Sequence, residues 1–119
     1  QGSGTAFLLK LDAAGSVVWI RRFGPPFDPE ARNSVFPHGL AVSSSGDVYV
    51  TGHTLTALAG APFTGGFFDA FLLKYDSNGV GQWTRLLGPA GDDIAEGLAI
   101  DGAGTIYAAG STTGPAWSF

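Results

Sequence analysis

The sequence predicts an all-β chain, and three observations carry that prediction. Nineteen Gly and seven Pro stand in 119 residues of which only 13% are charged. Such a balance favours short apolar segments joined by tight turns over long amphipathic helices. The pentapeptide AFLLK at Ala6 to Lys10 recurs letter for letter at Ala70 to Lys74, which marks an internal repeat. One four-residue pattern, Asp or Ser first and Gly fourth, occurs at Asp12–Gly15, Ser43–Gly46, Asp76–Gly79 and Asp101–Gly104.

The elements follow in order. The first copy holds four strand-like segments, AFLLKLD, SVVWIRRFG, HGLAVSS and DVYVTGH; the second holds AFLLKYD, VGQWTRLLG, EGLAIDG and TIYAAGS. They are rich in β-branched and aromatic residues and free of Pro, and glycines break them before a helix could propagate. Between the first and second strand of each pair lies the repeated turn. Its residues suit the first and last places of a type I turn, with the Gly accepting positive φ to close the hairpin as a G1 bulge. The chain is therefore a series of hairpins.

The repeat extends well past AFLLK. At an offset of 64 residues Asp12 meets Asp76, Gly15 meets Gly79, Trp19 meets Trp83, Arg21 meets Arg85 and Gly24 meets Gly88. At an offset of 58, Gly39-Leu40-Ala41 matches Gly97-Leu98-Ala99, and Gly46, Tyr49, Gly52 and Thr54 match Gly104, Tyr107, Gly110 and Thr112. The six-residue difference is confined to PPFDPEARNSVFPH against PAGDDIAE, as a surface loop permits.

Four antiparallel strands in a period of about 60 residues suit a β-propeller blade better than a sandwich. The run D-A-F-L-L-K-Y-D-x-x-G-x-x-x-W, then L-G, G-D-D and G-L-A-I-D-x-x-G-x-I-Y-x-x-G-S-T, resembles the bacterial β-propeller repeat family of exported and surface proteins. The hairpin G-L-A-V-S-S-S-G-D-V-Y-V-T-G is similar to strand pairs of NHL-type propellers. The likeness spans nearly the whole chain; the first copy departs from it where G-D-D should lie. It implies a fold and an extracellular or cell-surface setting, with no fixed chemistry.

If the G-L-A hairpin supplies the inner strands of a blade, as that resemblance implies, the organisation is phased. Residues 1–24 are an outer hairpin, half a blade, and 25–37 a loop. Residues 38–88 form a complete blade with a long inner loop at 55–68, and 89–119 an inner hairpin with a tail. About two blades cannot close a ring, since propellers have roughly 4–8. The expected partners are further blades of the same chain or identical copies in a head-to-tail ring. The absence of Met, with Gln1 first, is expected of an excerpt of a longer polypeptide or of a mature segment cut from an exported precursor.

Composition narrows the function. Six Lys and Arg against ten Asp and Glu give a net charge of −4, so no basic stripe is available to track nucleic acid. No apolar run reaches the roughly 18–20 residues of a membrane-crossing helix. Zero Cys excludes disulfides, thiol chemistry and Cys-based zinc sites.

The candidate ligand-binding residues are Trp117, Asp28, Arg32 and Phe63, because they lie in long segments free of the repeat. Asp92 and Asp93 are weak candidates for Ca²⁺, although the spacing is not that of an EF-hand, and no metal site is expected. Lys10 and Lys74 read as outward-facing charges, and Trp19 and Trp83 as wedges between sheets. His38 and His53 do not recur, Glu96 and Ser111 taking their places, and they read as surface polar groups. Neither a nucleophile elbow nor a phosphate loop occurs; no catalytic residue and no cofactor is expected. The expected role is a non-catalytic exported repeat module that acts as scaffold or protein-interaction surface. The alternative is a carbohydrate-binding propeller assembled from two-blade chains, with a glycan or surface protein as partner.

Overall fold

The structure, a computed structural model, describes residues 6–25, 35–55, 58, 68–87 and 91–114. Eight strands run in chain order: β1 (Ala6–Leu11), β2 (Val17–Phe23), β3 (Val35–Val42), β4 (Val48–Thr54), β5 (Asp69–Tyr75), β6 (Gly81–Leu87), β7 (Asp93–Ile100) and β8 (Ile106–Thr112). They form three antiparallel sheets: a β1–β2 hairpin, a central meander β3-β4-β5-β6, and a β7–β8 hairpin. The all-β class read from the glycines and the repeat is the class observed. No helix among the described residues is long and apolar enough to cross a membrane.

The four repeated turns share one construction. In each, the Gly N–H donates to the carbonyl of the residue three back, at 3.0 Å, and the Gly takes φ between 81° and 89°. A left-handed backbone there is cheap only for glycine. In the Asp turns the first carboxylate accepts from the N–H groups two and four residues on, at 2.9–3.0 Å for Asp12, Asp76 and Asp101. Ser43 does the same with one bond, its Oγ accepting from the Asp47 N–H at 3.2 Å. Because strands alternate in direction, the β3–β4 and β5–β6 turns lie at one end of the central sheet. A Cβ added at Gly46 would stand 3.1 Å from Ser77 Cβ.

Two boundaries differ from the sequence reading. Strand β3 begins at Val35, inside the expected 25–37 loop, and includes Pro37, although a Pro-free strand from His38 was expected. The pairing slips by one residue between Pro37 and Gly39. At such a bulge, on the edge strand of this sheet, the missing N–H of proline breaks no necessary ladder bond. Strand β7 likewise begins at Asp93, ahead of the expected Glu96, with the matching slip between Ala95 and Gly97.

The pleat then decides what each hairpin covers. Phe71, Leu73 and Tyr75 of β5, with Val48 and Val50 of β4, face Ala6 and Leu8 of β1 and Phe23 of β2. Phe71 has no exposed surface and meets Phe23 edge-on at 6.0 Å. Burying an aromatic or branched aliphatic side chain stabilises by about 1.5–3 kcal/mol, so this seam anchors β1–β2 to the central sheet. On the opposite side Thr51, Ala70 and Leu72 are buried beside β7, whose Ala95 is buried in turn. A Cβ at Gly39 would stand 3.2 Å from the Glu96 carbonyl oxygen, so β3 and β7 approach at backbone distance. The Thr51 hydroxyl donates to the Phe71 carbonyl at 2.7 Å, which satisfies a polar atom that burial would otherwise make costly.

Candidate functional site

The β1–β2 hairpin grips the central sheet through the Asp76–Gly79 turn. Lys10 Nζ and Trp19 Nε1 both donate to the Ser77 carbonyl at 3.1 Å. Arg21 Nε donates to the Gly79 carbonyl at 2.6 Å and Nη2 to the Asn78 carbonyl at 3.4 Å. The Arg21 guanidinium lies 5.3 Å from the centre of the Trp19 ring, and that ring packs against Tyr75 at 6.4 Å. A Cβ at Gly79 would stand 2.9 Å from both Arg21 Nη2 and Trp19 Cδ2, so the turn must end in glycine for this approach as well as for its φ. Burial under the hairpin raises the pKa of Tyr75, against an opposing pull from Arg21.

The same residues recur on β5–β6, where among the described residues they grip no turn. Trp83 is 37% exposed, and Arg85 is exposed too. Trp83 meets Tyr49 edge-on at 6.1 Å. Together with Leu72, Leu87 and Ile106, Trp83 and Arg85 line an open depression of ≈ 750 Å³. Beside it Ala70, Leu87, Ala95 and Ala108 line a second cavity of ≈ 310 Å³ between the central sheet and β7–β8. Lys74 sits 5.5 Å from the centre of the Tyr49 ring and 3.5 Å from the Asp47 carboxylate. Tyr49 first, and Asp47 after it, hold its pKa above the ordinary lysine value. Lys10 is exposed while it donates to the Ser77 carbonyl, and Lys74 is half-buried beside Tyr49 and Asp47.

At the end opposite the turns the structure joins two residues that the sequence reading kept apart. His38 Nε2 and His53 Nδ1 lie 2.9 Å apart, with ring planes 16° from parallel and centroids 4.9 Å apart. Nearly parallel rings with nitrogens that close are offset sideways, so the imidazoles meet edge to edge and share an N–H···N bond. Phe36 stacks on His53 at 4.8 Å, and Phe68 leans on it at 5.0 Å. Burial, then the neighbouring His38, lowers the His53 pKa, and Glu96 opposes them. The signal was available: the β3–β4 turn fixes a register in which Phe36 opposes His53, and one bulged residue brings His38 alongside.

Trp117, Asp28, Arg32 and Phe63 lie outside the described residues. Asp92 and Asp93 are placed, and both serve the β7–β8 hairpin. The Asp92 N–H donates to Thr113 Oγ1 and its carbonyl accepts from the Thr113 N–H, both at 2.9 Å. The fully buried Asp93 accepts from the Thr112 hydroxyl at 2.5 Å. Trp19 acts as a packing wedge, as the repeat suggested.

A family model described as a beta-propeller repeat matches residues 18–57 and 82–115. Each match starts beside the repeated Trp and runs across the following loop through the next hairpin. The chain is also similar to the regulatory protein FlaEY of Caulobacter vibrioides, 32% identical over 117 residues. That similarity covers 92% of this chain and only 12% of the length of FlaEY.

Proposed function

The chain belongs to the beta-propeller repeat family, and from that premise we propose that it is a non-catalytic scaffold and protein-interaction module, completed by neighbouring blades. One observation carries the reading. The central four-stranded sheet bears a two-stranded hairpin on each side, each half of the blade its neighbour would need. Repeat units bury their faces only against one another, so a unit with half-blades at both flanks is built to be continued.

The recurring Lys, Trp and Arg of the repeat serve contacts within the fold, which supports a role without catalysis. The repeated Lys, Trp and Arg of the first copy bind a backbone turn, which is structural work. The likeness to a protein named as regulatory fits action through contacts rather than turnover. An extracellular or cell-surface setting is the further part of the proposal and rests on the family likeness alone.

Sedimentation of the 119-residue chain tests the reading. Three or four copies would supply six or eight blades, within the roughly 4–8 of closed propellers, and particles of that size are expected. A folded chain that stays monomeric at every concentration would remove completion by identical copies.

A further inference from the structure

The internal contact between β1–β2 and the central sheet is a template for a second contact that the chain offers but, among its described residues, does not make. Every donor in the first has its repeat equivalent on β5–β6: Lys74 for Lys10, Trp83 for Trp19, Arg85 for Arg21. Every acceptor has its equivalent in the Asp12–Gly15 turn: Ala13 for Ser77, Ala14 for Asn78, Gly15 for Gly79. The apolar surfaces correspond too. The side of β5 that receives the first hairpin is Phe71, Leu73 and Tyr75; its equivalents on β1 are Phe7, Leu9 and Leu11, all exposed.

We propose that the open side of β5–β6 is a docking surface for the β1–β2 hairpin of a second copy of this chain. This rests on the blade-completion reading above and fixes the contact that carries it. Phe7, Leu9 and Leu11 of the incoming hairpin fill the depression beside Leu72, Trp83 and Leu87. Trp83 Nε1 donates to the incoming Ala13 carbonyl, and Arg85 donates to the carbonyls of Ala14 and Gly15. The room is present: a Cβ added at Gly15 meets nothing within 4 Å, while at Gly79 it meets Arg21 and Trp19. Strand pairing follows from the same template. In the central sheet Tyr49 pairs with Lys74, Val50 with Leu73 and Gly52 with Phe71. The equivalent register sets Tyr107 of β8 against Lys10 of the second copy, Ala108 against Leu9 and Gly110 against Phe7. Among the described residues β8 pairs only with β7 and β1 only with β2, so both edges are open to this pairing. Each copy then offers its own β5–β6 to the next, and the contact is heterologous, of the kind that closes a ring.

The chain has no cysteine, which makes directed cross-linking clean. A chain carrying Leu9→Cys with Ala108→Cys, oxidised in solution, should yield covalently linked copies on a non-reducing gel. A control with Val18→Cys and Ala108→Cys should not. In parallel, Trp83→Ala with Arg85→Ala should weaken assembly roughly tenfold or more, as loss of a Trp and an Arg anchor does at interfaces. Its far-ultraviolet circular dichroism should match the parent, and Arg85→Ala alone, which keeps the Trp83–Tyr49 contact, should also match the parent in dilute unfolding. Linking no faster than the control, or undiminished assembly of the Trp83/Arg85 variant, overturns the proposed contact. If the parent nonetheless sediments as a multi-copy particle, blade completion survives and only its geometry is wrong. A parent that never assembles removes the contact and, with it, blade completion by identical copies.

Discussion

Phe7 and Phe71 hold the same place in β1 and β5, yet Phe7 is 63% exposed and Phe71 0%. Tyr49 and Tyr107 differ in the same way, at 5% and 58%. The opposite sides of the two AFLLK hairpins reverse the order, since Trp19 and Arg21 are partly covered while Trp83 and Arg85 stand open. Residue type is the same in each pair, so burial here is a property of which neighbour is present. A repeat sequence writes both sides of a contact into every copy, and one chain realises only those contacts whose two halves it contains.

The largest test of that comparison removes the aromatic ring from each hairpin in turn. Phe71→Ala should cost about 3–5 kcal/mol by urea unfolding, the range for emptying a filled aromatic site. Phe7→Ala, measured dilute enough to keep copies apart, should fall within about 0.5 kcal/mol of the parent, as exposed substitutions do. Equal losses would show that the two sites are alike in solution and break the comparison.

The next test sharpens it through charge. Arg21→Ala removes a charge-assisted bond of 2.6 Å to the Gly79 carbonyl and should destabilise by about 1.5–2 kcal/mol. Arg85→Ala should leave dilute stability near that of the parent, since Arg85 is exposed. A loss from Arg85→Ala as large as that from Arg21→Ala would mean that Arg85 already has a comparable partner within the chain.

Much of this fold was legible because turn chemistry and repetition speak through local sequence. Asp12, Ser43, Asp76 and Asp101, each with its Gly three residues on, placed four hairpins before any pairing was known. The edges of β3 and β7 were not legible, because a bulge at Pro37 or Ala95 is chosen by tertiary pairing rather than by propensity. The site was harder to read. Trp19 and Trp83 look identical in sequence, and only the structure shows that one grips a turn while the other stands exposed. His38 and His53 seemed unrelated because fifteen residues separate them, and their meeting depends on a one-residue slip in register.

That His pair gives a smaller, pH-dependent effect. The His53 pKa is lowered in the folded chain, chiefly by burial and then by His38, with Glu96 opposing. The unfolded chain therefore binds a proton first as pH falls, near the ordinary value of 6.5. Folding stability is full above that value and declines as pH drops towards the lower folded pKa. His53→Gln should flatten this limb in urea unfolding series between pH 7.5 and 5, taken as rough bounds around the unfolded pKa. The parallel Ser111→Gln in the second copy, where Glu96 stands for His38, should leave the limb as it is. A parent whose stability rises on acidification would contradict the assigned direction.

The smallest expected effect lies in the turns, where the two copies open on different residues. Ser43 opens the β3–β4 turn and Asp101 its equivalent in β7–β8. Asp101 accepts N–H bonds from Thr105 and Ala103 and lies 3.4 Å from the Tyr107 hydroxyl. The Thr105 N–H foremost holds the carboxyl below its usual pKa against an opposing desolvation penalty, with Ala103 and Tyr107 adding to the lowering. A depressed carboxyl pKa stabilises above the unfolded value and loses that contribution as pH falls through the folded one. Asp101→Asn keeps an acceptor oxygen and discards the charge. Its stability at neutral pH should fall slightly, and the gap to the parent should close below the unfolded pKa of 3.8. Asp47→Asn in the other turn offers a contrast, because Ser43 rather than a carboxylate accepts the turn N–H there. A gap for Asp101→Asn that persists unchanged into strong acid would mean that the charge of Asp101 contributes nothing to the hairpin. In that case its geometry, already shared with Ser43, accounts for the turn by itself.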